Sequence, residues 1–161
     1  MKNSPYSNMK QILLILALVG CGEKDASDPE ATRVQPIEEA VRKAAKKPTG
    51  ELTKEDYEKV RRLVIQRRKL TKLPKDLEKL TKLEELYLSR NQLTDLKGLE
   101  NLTQLKELDL RRNQLTDLKG LKNLTQLKAL YLYFNPALTQ AQIDELQKAL
   151  PKCGIYSNPT K

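Results

Sequence analysis

Leucines recur through the middle of the chain with two superposed spacings. In three successive segments a pair stands two residues apart: Leu86 and Leu88, Leu108 and Leu110, Leu130 and Leu132. Alternation of this kind predicts a short strand with one buried face. Leu93, Leu96, Leu99 and Leu102 then follow at a step of three, which suits tight 3₁₀-like turns better than the 3.6-residue period of an α-helix. Each segment therefore predicts one strand, a turn and a tight return.

The segments are copies of one another. Residues 80–101 read LTKLEELYLSRNQLTDLKGLEN and residues 102–123 read LTQLKELDLRRNQLTDLKGLKN, a gapless match at a period of 22 with 17 identical positions and 5 different. A third copy starts at Leu124, and a more divergent one runs from Val60 to Lys79 with a period of 23. One copy cannot bury its leucines alone, whereas stacked copies can. Residues 60–150 hold 25 leucines, enough for such a stack.

This pattern, LxxLxLxxNxL, resembles leucine-rich repeats. The 22-residue version with LTDLKGLxNLTQL is similar to the repeats of internalins and of the leucine-rich regulatory subunit of protein phosphatase 1. The resemblance implies an α/β fold: a short curved solenoid with parallel strands on its concave face, 3₁₀ or turn returns on its convex face, and helical caps. The first copy departs from the pattern, with Arg68 where Asn91, Asn113 and Asn135 stand later, and Leu73-Pro74 in its return. After Asn135, Thr139 to Gln142 looks like a capping box. A helix with Ile143, Leu146 and Leu150 on one side is expected to close the stack, ended by Pro151 and Gly154.

The N-terminal pattern differs. Ile12 to Val19 is an unbroken apolar run of eight residues, preceded by Lys2 and Lys10. As a helix it would reach about 12 Å, short of the ~30 Å hydrocarbon core of a membrane, and it reads as a signal peptide over residues 1–20. Leu18-Val19-Gly20-Cys21 resembles the bacterial lipobox. That resemblance implies that Cys21 is lipidated, becomes the mature N-terminus and anchors the protein in the cell envelope, facing the periplasm or the cell surface. An ordinary secretory signal is the competing reading, and Gly22 leaves inner versus outer membrane open. Residues 21–50 then comprise the lipidated cysteine, a solvated tether over 22–36, a short helix over Ile37–Lys47 and the punctuation Pro48-Thr49-Gly50. The repeat domain with its caps is expected over 51–161, entered through a capping box from Thr53 to Asp56 and a helix to about Lys59.

Composition removes several chemistries. The chain has 161 residues, room for one domain and a tail. It has no His and no Trp and only two Cys, which excludes Ser-His-Asp and Cys-His catalysis, His-containing metal sites and a disulfide scaffold. No enzyme constellation, cofactor or metal site is expected. Cys153 reads as a small buried apolar residue of the C-terminal cap, with an intermolecular disulfide or a pair with unlipidated Cys21 as alternatives. Asn91, Asn113 and Asn135 read as a structural ladder satisfying turn backbone, and Asp95 and Asp117 as turn residues.

Charge adds one further candidate. The formal net charge is +9, and residues 42–82 hold 15 Lys+Arg against 6 Asp+Glu. Arg61, Arg62, Arg67, Arg68 and Lys69 form the densest part. A solvated face is one reading and a site for anionic lipid or cell-wall polymer the other. No nucleic-acid reader motif is present. The differences between the two middle copies include Tyr87 against Asp109 and Ser89 against Arg111, on strand positions pointing away from the core. This marks a variable concave face, and Tyr87, Ser89, Glu107, Asp109, Arg111, Tyr131 and Tyr133 are the expected contacts for a protein partner. The expectation is therefore a monomeric binding module, held at the membrane by its lipid alone.

Overall fold

The computed structural model describes residues 31–158, with side chains from Ile37 onward. The expected signal peptide, Cys21 and residues 22–30 of the expected tether lie outside the described residues. No described helix is long and apolar enough to cross a membrane.

Helix α1 (Ala31–Ala45) is followed by the single turn α2 (Lys54–Tyr57) and strand β1 (Arg62–Val64). Strands β2 (Glu85–Tyr87), β3 (Glu107–Asp109) and β4 (Ala129–Tyr131) come one per repeat, then helix α3 (Gln140–Ala149) and strand β5 (Gly154–Tyr156). The strands form one sheet in chain order, and every pair is parallel. Their central residues, Leu63, Leu86, Leu108, Leu130 and Ile155, lie in register. The expected solenoid is thus present.

The three-residue leucine step has a direct cause. In the second repeat Leu99 donates its N–H to the Leu96 carbonyl, Leu102 to Leu99 and Leu105 to Leu102, at 3.2, 2.9 and 3.0 Å. Leu121, Leu124 and Leu127 repeat the series at 3.0, 3.0 and 2.9 Å. Each leucine therefore closes one 3₁₀-type turn and points its side chain inward. Two stretches are regular enough to be 3₁₀ helices, Lys75–Lys79 and Lys119–Leu121. The repeated glycine does not play one role: Gly98 takes φ +98° in open space, whereas a Cβ on Gly120 would lie 3.1 Å from the Leu96 carbonyl oxygen.

Asn91, Asn113 and Asn135 are buried, as the structural reading expects. The Asn113 amide donates to the Leu88 and Leu110 carbonyls at 3.1 and 2.9 Å, and its oxygen accepts from Leu93 N–H at 3.2 Å. Asn91 donates to Ile65 and Leu88, and Asn135 to Leu110 and Leu132. The Leu88 and Leu110 carbonyls are thus each shared by two asparagines. Asp95 and Asp117 accept from the N–H groups of Lys97 and Lys119, two residues on, as turn residues do. The residue before each asparagine turns the chain sharply: Arg90, Arg112 and Phe134 all have φ near +60° (60°, 57° and 61°), as does Arg67 (58°) in the first repeat.

Both ends differ from the sequence expectation. Helix α1 starts at Ala31, inside the stretch read as tether, and it packs on α2 and the first 3₁₀ helix. Ile37 and Val41 are fully buried in the same core as the repeat leucines. Helical spacing of two β-branched residues four apart gives them one face, and the flanking alanines and charges mask that signal in the sequence. The turn α2 ends at Tyr57 instead of continuing to Lys59. Asp56 closes its start by accepting from Thr53 N–H at 3.0 Å and ties it to the segment just after α1 through Lys47 at 3.1 Å. At the other end, α3 is capped by Thr139 and Gln142 as expected, but Gly154 opens a fifth strand. Cys153 is buried in the core as a free thiol, and burial pushes its pKa up to about 11.

Candidate functional site

The concave face carries the residues that alternate with the core leucines. Register sets Arg62, Glu85, Glu107, Ala129 and Gly154 in one row, and Val64, Tyr87, Asp109, Tyr131 and Tyr156 in the next. Two positions further along the strands lie Ser89, Arg111 and Tyr133.

Arginines and tyrosines interlock across these rows. The Arg62 guanidinium lies 4.9 Å from the Tyr87 ring centre and pairs with Glu85 at 3.4 Å. The Tyr87 hydroxyl donates to Glu85 at 3.2 Å. Burial, then the Glu107 and Glu85 carboxylates, push its pKa up to about 12. Arg111 covers Tyr131 at 5.5 Å, and Tyr131 stacks on Tyr156 with centroids 5.2 Å apart and planes 16° from parallel. Contacts of this kind stabilise by about 0.5–2 kcal/mol each.

Beneath Arg111 lies Asp109. It accepts from Arg111 Nε and Nη2 at 2.9 and 2.8 Å and from the Arg111 backbone N–H at 3.0 Å. Burial alone would raise its pKa, but the Arg111 bonds and the Ser89 hydroxyl outweigh that and hold the carboxyl below its usual range. Asp109 and Ser89 were expected to meet a partner. They are 0% and 7% exposed; Asp109 holds Arg111 and is itself bonded by the Ser89 hydroxyl. The longer Arg111 side chain folds back over the Asp109 carboxylate and covers it.

Tyr87, Glu107, Tyr131 and Tyr133 are half-buried on the face, and Arg111 is exposed. Tyr156 joins them and was missed, because β5 carries no repeat consensus; Ile155-Tyr156 after Gly154 was the only signal. Phe134, 54% exposed, lies under Arg112 at 4.5 Å at the rim. Of the basic set, Arg61 donates to the Glu58 and Lys82 carbonyls and Arg62 is engaged on the concave face. Arg67, Arg68 and Lys69 project from the loop after β1 and are exposed. Among the described residues no group of three or more His, Cys, Asp or Glu side chains is arranged to hold a metal.

One parallel strand per 22- or 23-residue copy, a 3₁₀-type return and a buried asparagine at the turns of the last three copies define a leucine-rich solenoid. Family models agree: "Leucine rich repeat" matches residues 58–115 and "Leucine Rich repeats (2 copies)" matches 103–148. The chain belongs to the leucine-rich repeat family, and its repeats are of the internalin type. It is similar to an internalin (inlF) of Listeria monocytogenes, with 25% identity, a TM-score of 0.64 and coverage of 83% of this chain and 46% of that one. Internalin C2 of the same organism gives 25% identity and a TM-score of 0.66, over 78% and 56% of the two chains. A leucine-rich repeat protein of Leptospira interrogans gives 34% identity and a TM-score of 0.55, over 65% and 28%. The chain thus spans about half the length of the two internalins and less of the third protein. No curated protein sequence matches it. Leucine-rich repeat domains are generally protein–protein interaction modules, and the internalin-like ones are binding modules without enzymatic activity.

Proposed function

We propose that this chain is a lipid-anchored protein-interaction module of the bacterial cell envelope and that it binds a protein partner through its concave face. The observation that carries the reading is the interlocked row of Arg62 with Tyr87 and of Arg111 with Tyr131 and Tyr156. Tyr and Arg are among the residues enriched at the energetic centres of protein interfaces, and here their side chains already hold one another in place. The lipobox-like Leu18-Val19-Gly20-Cys21 supports the anchor and the envelope address.

Two measurements test the two halves separately. Cells expressing the wild type or Cys21→Ser are fractionated and the intact mass of each form is taken. Acylated wild type in the membrane fraction, with the variant released from it, supports the anchor; two lipid-free soluble forms overturn it. For the face, Tyr87→Ala combined with Tyr131→Ala should abolish cross-linking to an envelope partner while far-UV circular dichroism stays native. Undiminished cross-linking by the folded variant removes the concave face as the binding surface.

A further inference from the structure

Strand β1 begins the sheet, so only one of its sides is paired. Glu85 donates its N–H to the Arg61 carbonyl at 3.0 Å, and Ile65 donates to the Tyr87 carbonyl at 2.9 Å. Backbone groups of successive strand residues point to opposite sides. The N–H and C=O groups of Arg62 and Val64 therefore face away from β2, where no strand lies among the described residues. Such an edge is a template for one more strand.

Helix α1 does not close this edge. A groove runs between its second half and β1, floored by Ala40, Ala44, Val60 and Leu63, with Val64 at 54% exposure on the concave side. Its rim holds Lys43, Arg61, Arg62 and Arg68 against one acid, Glu39. Lys43 and Arg68 have no ion-pair partner among the described residues. A second copy of the chain fits poorly, since docking through the far edge, β5, would bring Lys128 and Lys152 toward the same basic rim.

We propose that this groove binds an extended acidic segment of a partner protein as a sixth strand beside β1. Main-chain hydrogen bonds to Arg62 and Val64 hold the segment. Its alternate side chains are apolar toward Leu63 and Ala44, and carboxylates toward Lys43, Arg62 and Arg68. The site shares Arg62 with the concave face, where that guanidinium lies over Tyr87, but its backbone pairing does not depend on the role of the tyrosines.

The test uses the full chain and fluorescein-labelled peptides in an anisotropy titration. The probe is a seven-residue peptide alternating Glu and Val. Two methylated forms carry N-methyl groups on the Glu amides or on the Val amides, since only one of these sets can face β1. The parent peptide should bind saturably. One methylated form should lose about tenfold or more in affinity, the cost of one to two backbone hydrogen bonds, and the other should bind nearly as the parent does. Lys43→Glu with Arg68→Glu, folded by circular dichroism, should also weaken binding by about tenfold or more. Equal affinity of both methylated forms and the parent would mean capture by charge alone and overturn the proposal, as would no binding at all. Binding that emerges only after residues 22–30 are replaced by Gly and Ser would assign the groove to the chain's own acidic segment, which also overturns it.

Discussion

Consider alanine at each rung of the asparagine ladder. The three asparagines have the same residue type, burial and turn, so a count of lost side-chain atoms predicts equal costs. The hydrogen bonds predict otherwise. Removing Asn113 leaves Leu93 N–H without its partner, but the Leu88 carbonyl keeps Asn91 and the Leu110 carbonyl keeps Asn135. Removing Asn91 strips the Ile65 carbonyl and Leu70 N–H, both buried, and also the half-buried Arg68 N–H. A buried polar group left unpaired costs about 1–3 kcal/mol. Asn113→Ala should therefore cost roughly 1–3 kcal/mol and Asn91→Ala roughly 2–6. Asn135→Ala should fall between, since it orphans Leu115 N–H and takes one donor from Leu132. Urea denaturation followed by far-UV circular dichroism gives the order, provided the slope with denaturant is common to all three. If Asn113→Ala proves as costly as Asn91→Ala or costlier, the shared carbonyls do not buffer the central rung and the reasoning fails.

Leu108→Ala, in the middle of the stack and fully buried, should cost about 2–5 kcal/mol in the same assay; a cost under 1 kcal/mol would mean the repeats close around the gap. Asp56 is held well below the usual carboxylate range by Thr53 N–H first, then by Lys47 and Lys59. A depressed folded pKa gives stability that is present above the unfolded value near 4 and is lost as pH falls through the folded value. Asp56→Asn should therefore lower the melting temperature at pH 7 and flatten its decline below pH 4, and parallel curves for variant and wild type would contradict the assignment. Cys153, with its thiol pushed to about 11 by burial, should resist Ellman's reagent at pH 8 in the native state and react promptly in denaturant. Reaction in the native state at the denatured rate would place it at the surface.

The solenoid was legible because its signal is periodic. Leucine alternation located β2 to β4 save exact limits, the divergent first copy implied β1, and the three-residue step located the 3₁₀ returns. Asn91, Asn113 and Asn135 could be read as structural because they sit at the repeat period. The ends were harder, for a cap has no copy against which to be compared. Ile37 and Val41 are two core residues on a helix whose other residues are mostly Ala, Glu, Lys and Arg, and β5 is three residues with one glycine. On the concave face alternation named the right columns, but it carries no information about which side chain folds over which. It could not distinguish Arg111, which is exposed, from Asp109, which lies buried beneath it. Tyr156 acquires its place only from a sheet whose fifth strand was invisible.

The bidentate hold of Asp109 on Arg111 has a consequence for the thermodynamics of recognition. A free arginine surrenders close to 2 kcal/mol of rotamer entropy when a complex immobilises it. Here that loss was incurred during folding, together with the freedom of Tyr131 and Tyr156 stacked alongside. Under the proposed function, association through this face should therefore proceed with little rearrangement, and differences between partners should emerge in how slowly they leave rather than how fast they arrive.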